Sequence, residues 1–418
     1  MSLASFICFG IFLFLVITLF MKETDVFSPA RLFIIIWSLA IGLTDLKLSR
    51  YQIQWTTFSW IMIVISLLSI LIGMFIAYVI NIDKPIQKIN SVRKIIKNSS
   101  FNSTRLFRYI IILFWGYIIS YIISALVIGY IPLFTRFPGV ARIDWGIFGF
   151  GLLIQLFPSI IYFIVLYFVI TKRESNKKIT LIFIFTTTLV TYAILLQRYY
   201  LLFAILLSVV SIYYLTDALR IKNTFIIFFI IIIALFSLQF VRFTGAISNY
   251  LYYLSDMKYN IKYAFLTEPY MYVVMNLENL ANAIQKLDNF SYGTYSFDFV
   301  FALAGIKHSL IEYLNLREYP NIISKNYNTY TMLFVYYRDF GILGLGLIPF
   351  ILGFVFSTAY YKMRKTPNLN TISIYAIFVF VILFSFFVPI ITFLHFAANL
   401  TLIYFVTNRI LIPDLKKA

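Results

Sequence analysis

Apolar runs of about 20 residues, each long enough to cross the hydrocarbon core of a bilayer, recur along nearly the whole chain. No water-soluble fold accommodates that pattern. Of the 418 residues, 62% are hydrophobic and only 12% charged, against about a quarter charged in a soluble domain. The runs predict spans near 3–21, 29–46, 57–80, 109–129, 147–170, 179–197, 200–216, 224–241, 329–361, 371–388 and 390–407. The expected fold is an all-α polytopic membrane protein of about 11 transmembrane helices, forming one integral membrane domain over 1–418. Aromatic residues make up 20% of the chain, which favours helix packing and interfacial anchoring over a water-filled pore.

The formal charge of +18 invites a nucleic-acid reading, but the 34 Lys+Arg and 16 Asp+Glu sort with topology. The connection 81–108 carries Lys84, Lys88, Arg93, Lys94, Lys97, Arg105 and Arg108, and 171–178 carries Lys172, Arg173, Lys177 and Lys178. The positive-inside rule places both in the cytoplasm. Alternation then puts Arg220 and Lys222, Lys362, Arg364 and Lys365, and the tail Arg409, Lys416 and Lys417 on the same side, with the N-terminus outside. The basic excess is thus topogenic, and no nucleic-acid partner follows from it. Residues 2–21 lack a basic n-region and a small-residue cleavage site, so no signal peptide is expected. Cys8 is the single cysteine, which excludes an intramolecular disulfide. With only His308 and His395 beside it, a Cys/His metal cage is out of reach, and no cofactor is expected.

Most connections are short, yet 242–328, between spans 8 and 9, is long and falls on the non-cytoplasmic face. It carries Asp256, Glu268, Glu278, Asp288, Asp298, Glu312 and Glu318. Val274, Leu277, Ala281, Ile284 and Leu287 recur in it at helical spacing, and Phe297, Phe301, Ala304 and His308 do so less cleanly. The expectation is an ordered external subdomain with two interfacial helices capping the bundle. No internal repeat divides the chain into halves, which weakens a transporter reading.

Four arginines lie at span ends on the same external side: Arg136 and Arg142 in the stretch 131–142, Arg198 in a turn between spans, and Arg242 after an apolar run. The positive-inside rule disfavours all four. A cation kept near a membrane interface against that rule points to function, and a guanidinium fork matches phosphate oxygens. Together they suit a clamp for a lipid pyrophosphate. Each alone is equally explained by snorkelling to headgroups or by pairing with a loop acid such as Asp144.

The densest polar stretch runs from Asn326 through Asn328, Tyr330 and Thr331 to Tyr336, Tyr337, Arg338, Asp339 and Gly341. If helical, it places Thr331 and Arg338 about 20° apart with Asn328 some 60° to the side, and Tyr330 with Tyr337 along the adjoining stripe. Hydroxyls, amides and aromatic rings suit a sugar ring. Spacing alone favours a structural helix entry, with Asn/Thr caps, an interfacial tyrosine belt and an Arg338–Asp339 pair. Gly341 and Gly344 permit close helix approach.

Asn328, Tyr330 and Thr331, followed by Tyr337, Asp339, Phe340, Gly341 and Gly344, resemble the Asn-x-Tyr-Thr and Tyr-x-Asp-Phe-Gly-x-x-Gly signature of the O-antigen polymerase (Wzy-type) family of oligosaccharide repeat-unit polymerases. Phe27, Ser28 and Pro29 before the second span, Ile131 to Phe134, an arginine opening the seventh span, and the stretch 270–276 agree with that family in order and spacing. The resemblance covers most of the chain. Some members carry a glycine eleven positions after external-loop arginines. Here Ile147, Leu153, Val209 and Tyr253 stand at that offset, so those loop roles do not transfer.

The resemblance implies a multi-pass protein of the bacterial inner membrane. It would move a growing glycan from undecaprenyl pyrophosphate onto an incoming lipid-linked repeat unit, in company with a chain-length regulator protein. Such chemistry needs charge stabilisation at the leaving pyrophosphate, which arginines supply without a metal. It also needs an acceptor hydroxyl oriented or deprotonated. Asp339 ranks first for that task and Glu268 second, with His308 third. Glu268 also reads as a helix-start acid, and a lone histidine as structural. A lipid-linked oligosaccharide flippase would need charges lining a cavity inside the spans, and these are nearly uncharged between their ends apart from Asp45, while the acids crowd the external loop. An O-antigen ligase differs in its acceptor, and a bare membrane scaffold leaves the external arginines unexplained.

Overall fold

The computed structural model describes residues 2–21, 24–83, 85–142, 145–171, 175–218, 247–287, 289–316 and 321–412. Among them every regular element is helical. Thr57–Asn81, Ser103–Phe134, Phe150–Ile170, Arg198–Leu215 and Met332–Lys365 are long and apolar enough to cross a membrane, and Leu3–Leu19 and Leu369–Phe384 are shorter apolar helices. Ile119, Leu126, Ile179 and Leu343 on these and neighbouring helices stand more than half exposed, an arrangement suited to hydrocarbon and not to water. The chain is an all-helical, multi-pass membrane protein. Each predicted span falls on helix except 224–241, which lies outside the described residues.

The chain sorts into two compact units, each built from separated stretches. The first comprises Met1–Pro85, Gly245–Tyr361 and Val381–Ala397. In it the helix Leu3–Leu19 packs along Pro29–Asp45, the latter opened by Pro29, whose fixed φ and missing N–H suit a first turn. Asp45 is not a cavity charge. It ends its helix and accepts from the side chains of Ser2 and Ser5 and from the Ser5 amide at 3.1 Å. The helices Thr57–Asn81 and Met332–Lys365 cross with their backbones touching. A Cβ on Gly73 would stand 2.0 Å from the Phe350 carbonyl oxygen, and one on Gly353 2.0 Å from that of Ile70. Small residues on both helices allow this approach. Gly73→Ala and Gly353→Ala should each lower stability by about 1–3 kcal/mol through overpacking, seen as a lower melting temperature in detergent. Wild-type melting in both variants would exclude the crossing.

Within 242–328, the predicted first helix is Thr267–Lys286, with Leu287 just past its end. It is a core element of this unit: Val274, Leu277, Ala281 and Ile284 are buried, and so are its polar residues Asn276, Glu278, Asn279 and Asn282. The weaker pattern yields two short helices, Asp298–Leu303 and Lys307–Tyr313, separated at Gly305, whose φ is +74°.

The second unit comprises Ile86–Thr244, Lys362–Phe380 and Ala398–Ala418. The helix Phe157–Ile170 packs against Arg198–Leu215 and Ser103–Ile128. Several basic residues of the predicted cytoplasmic connections bind backbone carbonyls here. Arg93 donates to the Tyr213 carbonyl at 2.8 and 3.1 Å and Arg105 to that of Arg409 at 2.6 Å, both near helix C-termini, where cations are favoured. Arg364 donates to Gln87 at 2.9 Å.

Candidate functional site

The signature region is assembled on the Thr267–Lys286 helix. Asn276, Asn279 and Asn282 recur every third residue and bind the irregular stretch 321–329. Asn279 donates to the carbonyls of Tyr327 (2.8 Å) and Thr329 (2.9 Å) and accepts from the Ile323 amide (3.0 Å). Asn282 donates to Asn321 at 2.7 Å, and Thr329 donates to the Asn276 side chain. These contacts supply the partners that a backbone outside helix and sheet lacks.

Helix begins only at Met332, so the shared helical face expected for Asn328, Thr331 and Arg338 does not exist. Asn328 is exposed, and Tyr330 and Thr331 are buried in the irregular lead-in. Tyr330 stacks on Phe334 with ring centroids 3.7 Å apart and planes at 11°. Thr331 is fully buried, and its hydroxyl has no hydrogen-bond partner among the described residues. The Tyr337 hydroxyl donates to the Ile284 carbonyl at 3.1 Å, fixing this helix to the C-terminal end of Thr267–Lys286.

The helix is not continuous. At Gly341 the backbone takes φ +57° and ψ −134°, a conformation open to glycine and strained for other residues, and a Cβ there would lie 2.9 Å from the Phe290 ring. Three residues on, a Cβ at Gly344 would meet the Tyr336 carbonyl at 2.0 Å. The two glycines of the signature therefore form a break and a close approach, and the segment 332–340 stands apart from the longer helix after it.

Arg338 and Asp339, at the end of that segment, hold the loop 291–296. Arg338 is 4% exposed. Its guanidinium lies 3.5 Å from the Tyr295 ring centroid and donates to the Tyr295 hydroxyl at 2.8 Å. Asp339 is fully buried. It accepts from the Ser291 hydroxyl at 2.5 Å and from the amides of Tyr295 (3.3 Å) and Ser296 (2.5 Å). Donors thus occupy much of its acceptor capacity, which sets a high threshold for an incoming hydroxyl.

Glu268 sits in the first turn of Thr267–Lys286, where a negative charge meets the positive end of the helix dipole, and is 8% exposed. Ile284, which anchors Tyr337, lies about 24 Å further along the same helix at 1.5 Å per residue. Glu268 and Asp339 therefore do not form a carboxylate pair, and each acts alone or not at all. His308 is exposed on the Lys307–Tyr313 helix.

Three of the four arginines lie among the described residues, all of them in the second unit. Arg136 is exposed, with its guanidinium 5.4 Å from the Phe137 ring. Arg142 is half-buried, and its Nε has no hydrogen-bond partner among the described residues. Arg198 begins the helix Arg198–Leu215 directly after a turn in which Leu196 has φ +59°. Arg242 lies outside the described residues.

One further carboxylate, outside the predicted site residues, is bonded on both of its oxygens. Glu278 is fully buried and accepts from Lys47 (2.5 Å), the Gln52 amide group (3.1 Å), the Ile53 amide (3.2 Å) and the Trp55 indole (3.0 Å). Gln52 in turn accepts from the Tyr270 hydroxyl at 2.7 Å. Burial pushes the Glu278 carboxyl up and the Lys47 ammonium down, while their mutual attraction opposes both shifts. The network fastens the connection 46–56 to the central helix and leaves Glu278 no free acceptor for chemistry. The sequence signal for it was an acid set inside an apolar helical stripe, beside Leu277 and Ala281.

Set against protein-family models, curated proteins and solved structures, the chain matches none of them.

Proposed function

We propose that this protein is a glycosyltransferase. It joins undecaprenyl-pyrophosphate-linked oligosaccharide repeat units into O-antigen or capsular-type polysaccharide at the non-cytoplasmic face of a bacterial inner membrane. The observation that carries the reading is that the residues of the polymerase-like signature do one structural job together. They supply a lead-in held by an asparagine ladder, a short helix ending in Arg338 and Asp339, a glycine break and a glycine close approach. Asp339 is the proposed base or hydroxyl-orienting group and Glu268 the alternative. Asn328, Tyr330, Thr331, Tyr337 and Arg338 border the glycan, and Arg136, Arg142, Arg198 and Arg242 attend the pyrophosphate.

A deletion strain tests the reading. One repeat unit on lipid A core at the outer surface is expected of a lost polymerase. Absence of any glycan on the core would point to a ligase, and repeat units trapped inside to a flippase. For the arginines, alanine at Arg136, Arg142 or Arg198 should shorten polymer at normal protein abundance. One charge-assisted hydrogen bond is worth about 1.5–3 kcal/mol, or one to two decades in affinity, and lysine should rescue only in part. Wild-type polymer from all of these variants would remove the pyrophosphate clamp. Topology is tested in a Cys8→Ser background. Lys262→Cys should label from outside intact cells and Lys94→Cys should not; the reverse pattern would invert the orientation.

A further inference from the structure

The second unit contains a buried polar layer outside the residues assigned above, apart from Arg198 at its edge. The buried stripe of the helix Ser103–Ile128 is apolar through Leu106, Ile110 and Phe114. It then turns polar, with Tyr117, Ser120, Tyr121 and Ser124 at most 7% exposed. The helix Ser175–Ala193 repeats the change, from Leu181 and Ile184 to Thr188 and Tyr192. Contacts of Lys177 with Thr104 (3.5 Å) and of Thr191 with Tyr117 (2.9 Å) run the two helices parallel, so both stripes become polar at one level. The Tyr192 hydroxyl donates to Gln197 at 2.9 Å, which brings the start of the Arg198–Leu215 helix to the same level.

Hydroxyls buried in an apolar bundle are costly unless bonded. A serine or threonine in such a helix can satisfy itself on the carbonyl one turn back, as Thr186 and Thr191 do at 2.9 and 2.7 Å. Ser120, Ser124 and Thr188 do not, and their hydroxyl oxygens are buried without a hydrogen-bond partner among the described residues. At 1.5 Å per residue, and with Tyr117 level with Thr191, the three are spread over about 15 Å of helix axis. That is the scale of an extended headgroup and too long for a compact ion. Aromatic faces flank the row: the Trp145 ring is 5.3 Å from that of Tyr121, and Tyr192 is 5.8 Å from Tyr200. Neutral hydroxyls in a layer with aromatic rings suit a sugar, which offers hydroxyls at its edge and C–H groups on its faces, and Arg198, which opens the adjoining helix, is of the residue type that suits phosphate.

We infer that this layer receives the glycosyl-pyrophosphate headgroup of the lipid carrier, with Ser120 and Ser124, one helical turn apart, hydrogen-bonding the sugar nearest the pyrophosphate. The inference rests on the lipid-pyrophosphate reading above and adds to it a sugar subsite within the helical layer. The probes are bare undecaprenyl pyrophosphate and the same lipid carrying N-acetylglucosamine, N-acetylgalactosamine or galactose, bound to purified full-length protein in nanodiscs. Wild type should prefer at least one glycosylated lipid over the bare carrier. The double variant Ser120→Ala, Ser124→Ala should melt at or above wild type, because no internal hydrogen bond is lost. It should bind that preferred lipid about tenfold more weakly, while affinity for the bare carrier changes by less than about threefold. If the double variant does not fold, Ser120→Ala and Ser124→Ala singly carry the same comparison. Unchanged affinity for the preferred lipid, or equal loss for glycosylated and bare lipids, would overturn the subsite and leave the polymerase reading intact. Wild type that binds no lipid pyrophosphate would overturn both.

Discussion

Glu278→Ala should prevent the protein from accumulating in the membrane, or lower its stability by about 3–5 kcal/mol, the loss expected when one member of a buried ion pair is removed and the other is left unpaired. Four donors converge on this carboxylate, so the alanine variant strands Lys47 and the Gln52, Ile53 and Trp55 groups at once. The double variant Lys47→Met with Glu278→Gln should recover much of the loss, because it removes both charges and keeps the volume. The pH dependence follows from the shifts. A carboxyl raised in the fold contributes stability that is complete below its ordinary value of 4.5 and fades as pH rises through the folded value. A lowered ammonium contributes stability that is complete above 10.5 and is lost as pH falls through its folded value. The double variant lacks both groups and should show a flatter profile of melting temperature against pH than wild type. Wild-type abundance and melting of Glu278→Ala would mean that the network does not hold the connection 46–56.

Asp339→Asn should reduce repeat-unit joining by about 100- to 10,000-fold, the range for loss of a general base, while binding of lipid-linked repeat units persists. The geometry supplies a sharp control. Ser291→Ala removes one donor to the same carboxylate and loosens the same loop without touching its charge. Joining that survives in Ser291→Ala but fails in Asp339→Asn assigns the carboxylate a chemical role. If both variants lose joining in proportion to their loss of melting temperature, Asp339 is a loop anchor and the base assignment moves to Glu268, to be tested by Glu268→Gln.

The helices were legible because hydrophobic thickness leaves few alternatives: a run of apolar residues as long as 57–80 becomes the helix Thr57–Asn81. The break at Gly341 was not, since the apolar pattern continues through it and only the backbone angles and Phe290 reveal the turn. The face proposed for Asn328, Thr331 and Arg338 failed for a related reason. Helical geometry was extended four residues too far, into a stretch whose backbone bonds go to Asn279. The Glu278 network was hidden by distance along the chain, because spacing rules see a few turns and its partners Lys47 and Gln52 lie 231 and 226 positions away. The asparagines at 276, 279 and 282 did carry a readable signal, a polar repeat of three along a helix that is otherwise core.

Trp37 donates to Ser385 across 348 positions, and Tyr360 to Asp25 across 335. A ribosome adding about 5–20 residues per second needs tens of seconds to join such partners. Throughout that time the N-terminal helices already sit in the bilayer with a buried carboxylate and an indole awaiting partners. The first unit closes only when its last piece, Val381–Ala397, has been made. Nascent chains of this protein therefore depend on insertion machinery that keeps early helices from pairing wrongly. A nonsense codon anywhere before position 381 should send the product to membrane proteolysis, however many complete helices precede it.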